Sequence, residues 1–170
     1  EINLRFYVKR VEGEIIKRGV VFINETVPYK LVAWLANKLY KEHYIAIPVK
    51  NLIGHNESDK NIKYKWKINK QWNHLAVNAA KEKNEMLPGS IEEFIFEHYY
   101  GYTKINNELS QEYKVNHPRW QVNKVIDYSI QCDFKSMYGS DFAFLNEQAP
   151  DSVIIAEGSP VTVNWKRITF

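Results

Sequence analysis

A single cysteine, Cys132, stands among the 170 residues. That excludes an internal disulfide framework and fits a reducing compartment, so the cytoplasm is the expected location. No apolar run approaches the roughly twenty residues a helical membrane span needs, and no membrane association is expected. The chain opens on Glu1 rather than Met and shows no signal peptide of its own. Glycine is scarce: the seven residues are scattered and build no phosphate-cradling loop, which removes Walker and dinucleotide-binding readings. Charge of one sign is also lacking, since 23 Lys and Arg face 20 Asp and Glu for a net +3. This argues against a dedicated nucleic-acid binder and leaves a local basic patch open. The five histidines form no HExxH or HxH pattern and Cys132 has no partner, so no metal and no cofactor are expected. There is no GxSxG, and Cys132 falls in a strand without a neighbouring base. What is abundant is aromatic: 14% of the chain, with five Trp and eleven Tyr, leaning toward β structure and a ligand-sized cavity.

Alternation dominates the pattern. Ile2, Leu4, Phe6 and Val8 alternate with Asn3, Arg5, Tyr7 and Lys9, a strand with one apolar face. Ile15 to Ile23 is its hairpin partner across a turn at Gly13. A helix follows, with Thr26 as cap, Pro28 in the first turn, and Leu31, Val32, Leu35, Ala36 and Leu39 on one face. Tyr44 to Val49 reads as a strand, Asn51 to Asn61 as a polar loop, and Ile62 to Ile68 with Trp72 to Ala79 as a strand pair. A loop over Lys81 to Gly89 leads to the capping box Ser90-Ile91-Glu92-Glu93 and a short helix. Tyr100 to Ile105, Ser110 to Val115, Gln121 to Cys132, Ser152 to Ala156 and Val161 to Trp165 read as further strands, with a helical turn over Phe134 to Tyr138. About nine strands and two short helices, spaced too irregularly for βαβ units, predict one α+β, mostly β domain over residues 1–170. Its architecture is a curved antiparallel sheet or partly closed barrel with the helices packed outside.

Two groups of residues bear on chemistry. Lys63, Lys65 and Lys67 form a basic ladder that either grips an anionic partner or is the solvated face of an amphipathic strand. Trp66 alternates with the lysines and falls on the opposite side, which weighs against an aromatic–cation patch. Later, Glu97 to Thr103 brings a carboxylate, His98, Tyr99 and Tyr102 together, and Glu112, His117 and Arg119 follow. Glu157 interrupts the apolar stretch from Ile154 to Gly158. Carboxylates, imidazoles, hydroxyls and a guanidinium near apolar walls are what a small-molecule site needs. The structural alternative makes Glu112 and Arg119 a cross-strand ion pair, with His117 satisfying the turn before Pro118.

Gly19-Val-Val-Phe-Ile-Asn24, Trp34 to Tyr40, Glu97-x-Tyr99-x-x-Tyr102, the turn His117-Pro118-x-Trp120, and Asp151 to Pro160 occur in this order along nearly the whole chain. In these motifs the chain resembles the YqjF-like family of uncharacterised conserved bacterial proteins (DUF2071). Relatives carry a further N-terminal section, so the resemblance implies that one is lacking here. It also implies an acetoacetate decarboxylase-like fold with a buried, largely apolar pocket. Acetoacetate decarboxylase works through a Schiff-base lysine activated by a neighbouring cation. The most similar segment here is Pro48-Val49-Lys50, with Val49 where that lysine should stand. A valine forms no imine, and alternation turns Lys50 to the other face.

The expected function is therefore binding of a small acidic or carbonyl-bearing molecule in a barrel pocket, without Schiff-base decarboxylation. Arg5, Glu97, Tyr99, Tyr102, Arg119 and Glu157 are the expected ligand-binding residues, Arg5 because its planar fork suits a carboxylate. An enzyme of decarboxylase or hydrolase type would draw on His117, Glu112 or Lys50. A second alternative is an interaction domain that uses the Lys63–Lys67 strand. No nucleic-acid partner is expected, and a homo-oligomer is left open.

Overall fold

The computed structural model describes residues 1–56, 58–164 and 168–170; Glu57 and Trp165, which the sequence reading placed in a loop and a strand, lie outside them. In chain order come β1 (Ile2–Glu12), β2 (Ile15–Val27), α1 (Lys30–Tyr40), β3 (Tyr44–Ala46), β4 (Val49–His55), β5 (Asp59–Ile68) and β6 (Gln71–Asn84). Then follow α2 (Ile91–Phe96), β7 (Tyr100–Lys104), β8 (Ser110–Asn116), β9 (Val122–Gln131), α3 (Phe134–Tyr138) and a 3-10 helix over Ser140–Asn146. β10 (Ile155–Ala156), β11 (Thr162–Val163) and β12 (Ile168–Thr169) close the series. The protein is α+β and mostly β, and one of its sheets curls into a half-barrel.

The chain forms two compact units. The first comprises Glu1–Ile45, Leu87–Trp120 and Gly158–Phe170. Its sheet has the order β1-β2-β7-β8-β11, with β3 on β2 and β12 on β8. Gly13, at φ +62°, supplies the left-handed turn that joins β1 to β2, and Glu12 pairs with Ile15 beside it. β2 and β7 run parallel at Gly19–Tyr100 and Val20–Gly101, and β7 pairs antiparallel with β8. Two glycines in these strands exist to receive tyrosine rings. A methyl group on Gly19 would meet the Tyr102 ring and the Tyr100 carbonyl, and one on Gly101 would overlap the Tyr113 ring.

The second unit comprises Ala46–Met86 and Gln121–Glu157, with an antiparallel sheet of order β10-β9-β6-β5-β4. Alternation along β5 buries Trp66, at 4% exposure, and leaves Lys65 outside. The β5–β6 hairpin turns on Asn69 and Lys70, both with positive φ (48° and 67°), the two-residue geometry that matches strand twist.

Several boundaries differ from the expectation. The polar stretch 51–61 is not a loop: β4 continues through His55 and β5 begins at Asp59, because the ladder pairs backbone groups whatever the side-chain polarity. β6 runs on to Asn84 instead of yielding to a loop at Lys81. Thr26 does not cap α1; it is buried within β2, and Tyr29 precedes the helix without a side-chain cap. In the capping box, Ser90 Oγ accepts from Glu93 N at 3.2 Å, but the Glu93 carboxylate turns to Gly89 N at 2.7 Å. Twelve strands stand among the described residues rather than about nine, since two-residue pairings such as β10 and β11 leave no periodic trace.

Candidate functional site

Strand alternation with the β1–β2 register places Arg5, Tyr7 and Lys9 on one side of the hairpin, with Arg18 opposite Lys9. Helix α2 and the residues after it pack on this side. The Tyr7 ring lies 5.0 Å from Phe94 and 4.6 Å from His98, and Phe94 meets His98 edge-on at 5.3 Å. Tyr7, Val8, Lys9, Arg18, Phe94 and His98 line a cleft of about 360 Å³. Arg5 stands beside it, its Nη2 3.4 Å from the Tyr7 hydroxyl. Among the described residues, no ion pair engages Arg5, Lys9 or Arg18. His98 is 8% exposed, and burial first, then the Arg5 and Arg18 charges, hold its pKa below the usual histidine value. The imidazole is therefore neutral at neutral pH and offers one donor and one acceptor.

The other face of the same hairpin is charge-compensated. Glu112 of β8, 3% exposed, accepts from Arg10 Nη1 at 3.0 Å and Lys17 Nζ at 2.9 Å. Lys17 also pairs with Glu12 at 2.7 Å, and the Arg10 guanidinium sits 3.6 Å over the Phe170 ring. Burial is the strongest single influence on Glu112 and pushes its pKa up, but hydrogen bonds from Lys17 and Arg10 together outweigh it and leave the carboxyl below its ordinary range. Tyr102, paired across from Glu112, is pushed up by burial and by that charge. Hydrogen bonds to Glu12 and Glu112 push Lys17 up as well. A lysine held so firmly protonated is a poor imine-forming nucleophile, and a carboxylate held ionised is a weak base.

The remaining predicted residues fall into separate places. Arg119 does not pair with Glu112. It bonds Glu93 at 2.8 Å and lies 3.8 Å from Glu97, because Glu93 of α2 and Glu97 just after it both face it while Glu112 is taken by Arg10 and Lys17. Tyr99 donates to Glu97 Oε2 at 2.6 Å, and its pKa is pushed up to about 12, by burial first and by that bond second. His117 stacks on Tyr99 at 4.9 Å and on Trp120 at 4.3 Å, with Nδ1 2.9 Å from the Pro118 carbonyl oxygen, so it does hold the turn. In the second unit, Val49 pairs with the buried Trp66, whereas Lys50 pairs with Lys65 and projects its ammonium over the Trp72 ring at 5.1 Å. Glu157 is exposed and bonds Lys83 at 2.5 Å. Burial first, then the Asp133 charge, push the Cys132 thiol up to about 12, which disfavours the thiolate. Among the described residues, no three His, Cys, Asp or Glu side chains are arranged to hold a metal. No helix among the described residues is long and apolar enough to cross a membrane.

Of the cleft's lining, sequence reasoning singled out only His98 in its polar cluster. Tyr7, Lys9, Arg18 and Phe94 went unnoticed, although the Gly13 turn fixes the register that sets Lys9 beside Arg18.

No curated protein and no solved structure matches the chain. A family model does match, over residues 1–160, and it is described as an uncharacterized conserved protein. Matched over nearly its full length, the chain belongs to the DUF2071 family.

Proposed function

We propose that the first unit binds a small acidic molecule in the cleft between the β1–β2 hairpin and α2. The observation that carries the reading is positive charge outside any ion pair beside aromatic walls: Arg5, Lys9 and Arg18 have no ion-pair partner among the described residues, the nearby Glu93 being bonded to Arg119. A carboxylate or phosphate ester would take the guanidinium of Arg18 and the ammonium of Lys9, while Tyr7 and Phe94 cover its apolar part. His98, neutral and buried, with its ring N–H toward the Ile95 carbonyl, would accept a hydrogen bond from a hydroxyl. Binding is favoured over chemistry because the groups that could act as nucleophile or base are already engaged by partners: Lys17 by Glu12 and Glu112, Glu112 by Arg10 and Lys17, and Tyr99 by Glu97.

The test is a panel of small carboxylic acids and phosphate monoesters titrated into the protein and followed by backbone amide NMR. Saturable shifts centred on Tyr7, Lys9 and His98 are expected for some member, and Arg18→Gln should weaken that binding at least tenfold. Absence of any saturable member up to millimolar concentration, or unchanged affinity in the variant, refutes the reading.

A further inference from the structure

Trp66 faces away from the lysine ladder of β5 and is buried. The register of the β5–β6 hairpin, however, brings a different tryptophan to the lysine side. Trp72 pairs with Lys67, His74 with Lys65, and Lys50 of the edge strand β4 pairs with Lys65 from the other side. Paired residues share a face, so Lys50, Lys63, Lys65, Lys67, Trp72 and His74 form one surface. Trp72 is 38% exposed, with the Lys50 ammonium 5.1 Å and the Lys67 ammonium 5.8 Å from its ring centre. Among the described residues none of the four lysines is in an ion pair. Of the acids near this face, Asp59 and Asp127 lie past Lys63, and Asp133, which lines a cavity with Trp72, is engaged in capping α3 by accepting from Ser136 N at 2.9 Å. His74 records the resulting field: burial, then Lys63 and Lys65, lower its pKa.

We infer that this face of the second unit binds single-stranded nucleic acid. Three ammonium groups in line along β5, about 6.8 Å apart for alternate residues, suit a linear row of phosphates better than a discrete small anion. An exposed indole beside that row supplies the platform on which an unpaired base stacks, without reading its identity. The small net charge of the whole chain does not oppose this, because phosphate contacts are local and screened within about 10 Å.

The test is fluorescence anisotropy with a labelled oligothymidylate of about 15 nucleotides, matched to the known range of single-strand site sizes. Four lysine–phosphate contacts predict a log–log salt slope of about −2.8, falling to about −1.4 in the Lys63→Gln/Lys65→Gln double variant. Trp72→Ala should weaken binding about tenfold and Trp72→Phe much less, with an unchanged salt slope in both. Lys65→Arg, which keeps the charge and disturbs no packing, should bind as the parent does. The inference is overturned by no binding at low salt, by a slope unchanged in the double variant, or by equal affinity for the corresponding duplex. Capture by phosphatidylserine vesicles without oligonucleotide binding also overturns it and assigns the face to anionic surfaces.

Discussion

Replacing Glu25 by Gln should stabilise the protein, and the gain should grow with pH. Glu25 is 5% exposed, accepts a hydrogen bond from the Tyr44 hydroxyl at 2.9 Å, and lies near the carboxylates of Glu1 and Glu42. Burial first, then the Glu1 charge, push its pKa from the ordinary 4.5 up to about 8. The sign follows directly. Between these two values the unfolded chain releases this proton and the folded one keeps it, so rising pH favours unfolding. The penalty is absent below pH 4.5, grows through neutrality, and is complete above pH 8. At 1.36 kcal/mol per tenfold change in proton affinity, the gap sets a ceiling of about 5 kcal/mol. Relaxation and coupling to Glu1 reduce that to about 2–4 kcal/mol. A glutamine keeps an acceptor for Tyr44 and never ionises. Urea unfolding of both proteins should show a difference of under about 1 kcal/mol at pH 5, widening to the full value at pH 8.5. A difference that stays constant with pH, or a wild-type protein that gains on the variant above pH 7, refutes the assignment.

Other perturbations give separate readouts. Gly101→Ala forces a methyl group into the Tyr113 ring and should cost about 1–3 kcal/mol in chemical unfolding; an unaltered midpoint would contradict the packing. Glu112→Gln leaves Arg10 and Lys17 partly exposed rather than stranded, so the loss should be about 1–3 kcal/mol at pH 7. Because the folded pKa of Glu112 lies below its ordinary value, that loss should shrink as pH falls below about 4.5, as unfolding at pH 7 and pH 3.5 would show. The His98 imidazole should titrate below the usual histidine range by NMR, and Arg5→Gln should raise its pKa, since Arg5 contributes to the depression. An unchanged His98 titration would dissociate the two groups.

What the sequence made legible is what neighbours along the chain determine. Period-two alternation marked β1 and β5, Gly13 marked the first hairpin, and Ser90 with Glu93 marked the start of α2. The pieces it concealed depend on pairing at a distance. Glu112 meets Arg10 and Lys17 across separations of 102 and 95 residues, and no local pattern announces that. The position of Trp72 beside the lysines depends on a hairpin turned by Asn69 and Lys70. The strand pair itself was legible, but asparagine followed by lysine, in place of the usual glycine, did not mark the two turn residues and so left the register unread. The polar stretch around His55 was misread for a related reason: strand edges facing water need no apolar residues, only backbone partners.

The two faces of the β1–β2 hairpin explain why the anion site is assigned to one and not the other. Both carry cations at alternate positions, so composition alone does not distinguish them. Toward β8, Arg10 and Lys17 meet Glu112 and Glu12, and two acids cancel two bases at distances of 2.7 to 3.6 Å. An incoming carboxylate there would have to displace a buried one whose hydrogen bonds are already made, a loss no exposed contact repays. Toward α2, Arg5, Lys9 and Arg18 gather around Tyr7 with no acid in an ion pair with them among the described residues; Glu93, which feels the Arg18 charge, is bonded to Arg119, and His98 is held below its usual pKa by burial first and then by Arg5 and Arg18. An anion entering this side meets unspent donors and relieves the repulsion that depresses His98. Its binding should therefore raise the His98 pKa, whereas an anion bound at the Glu112 face would leave that titration where it was.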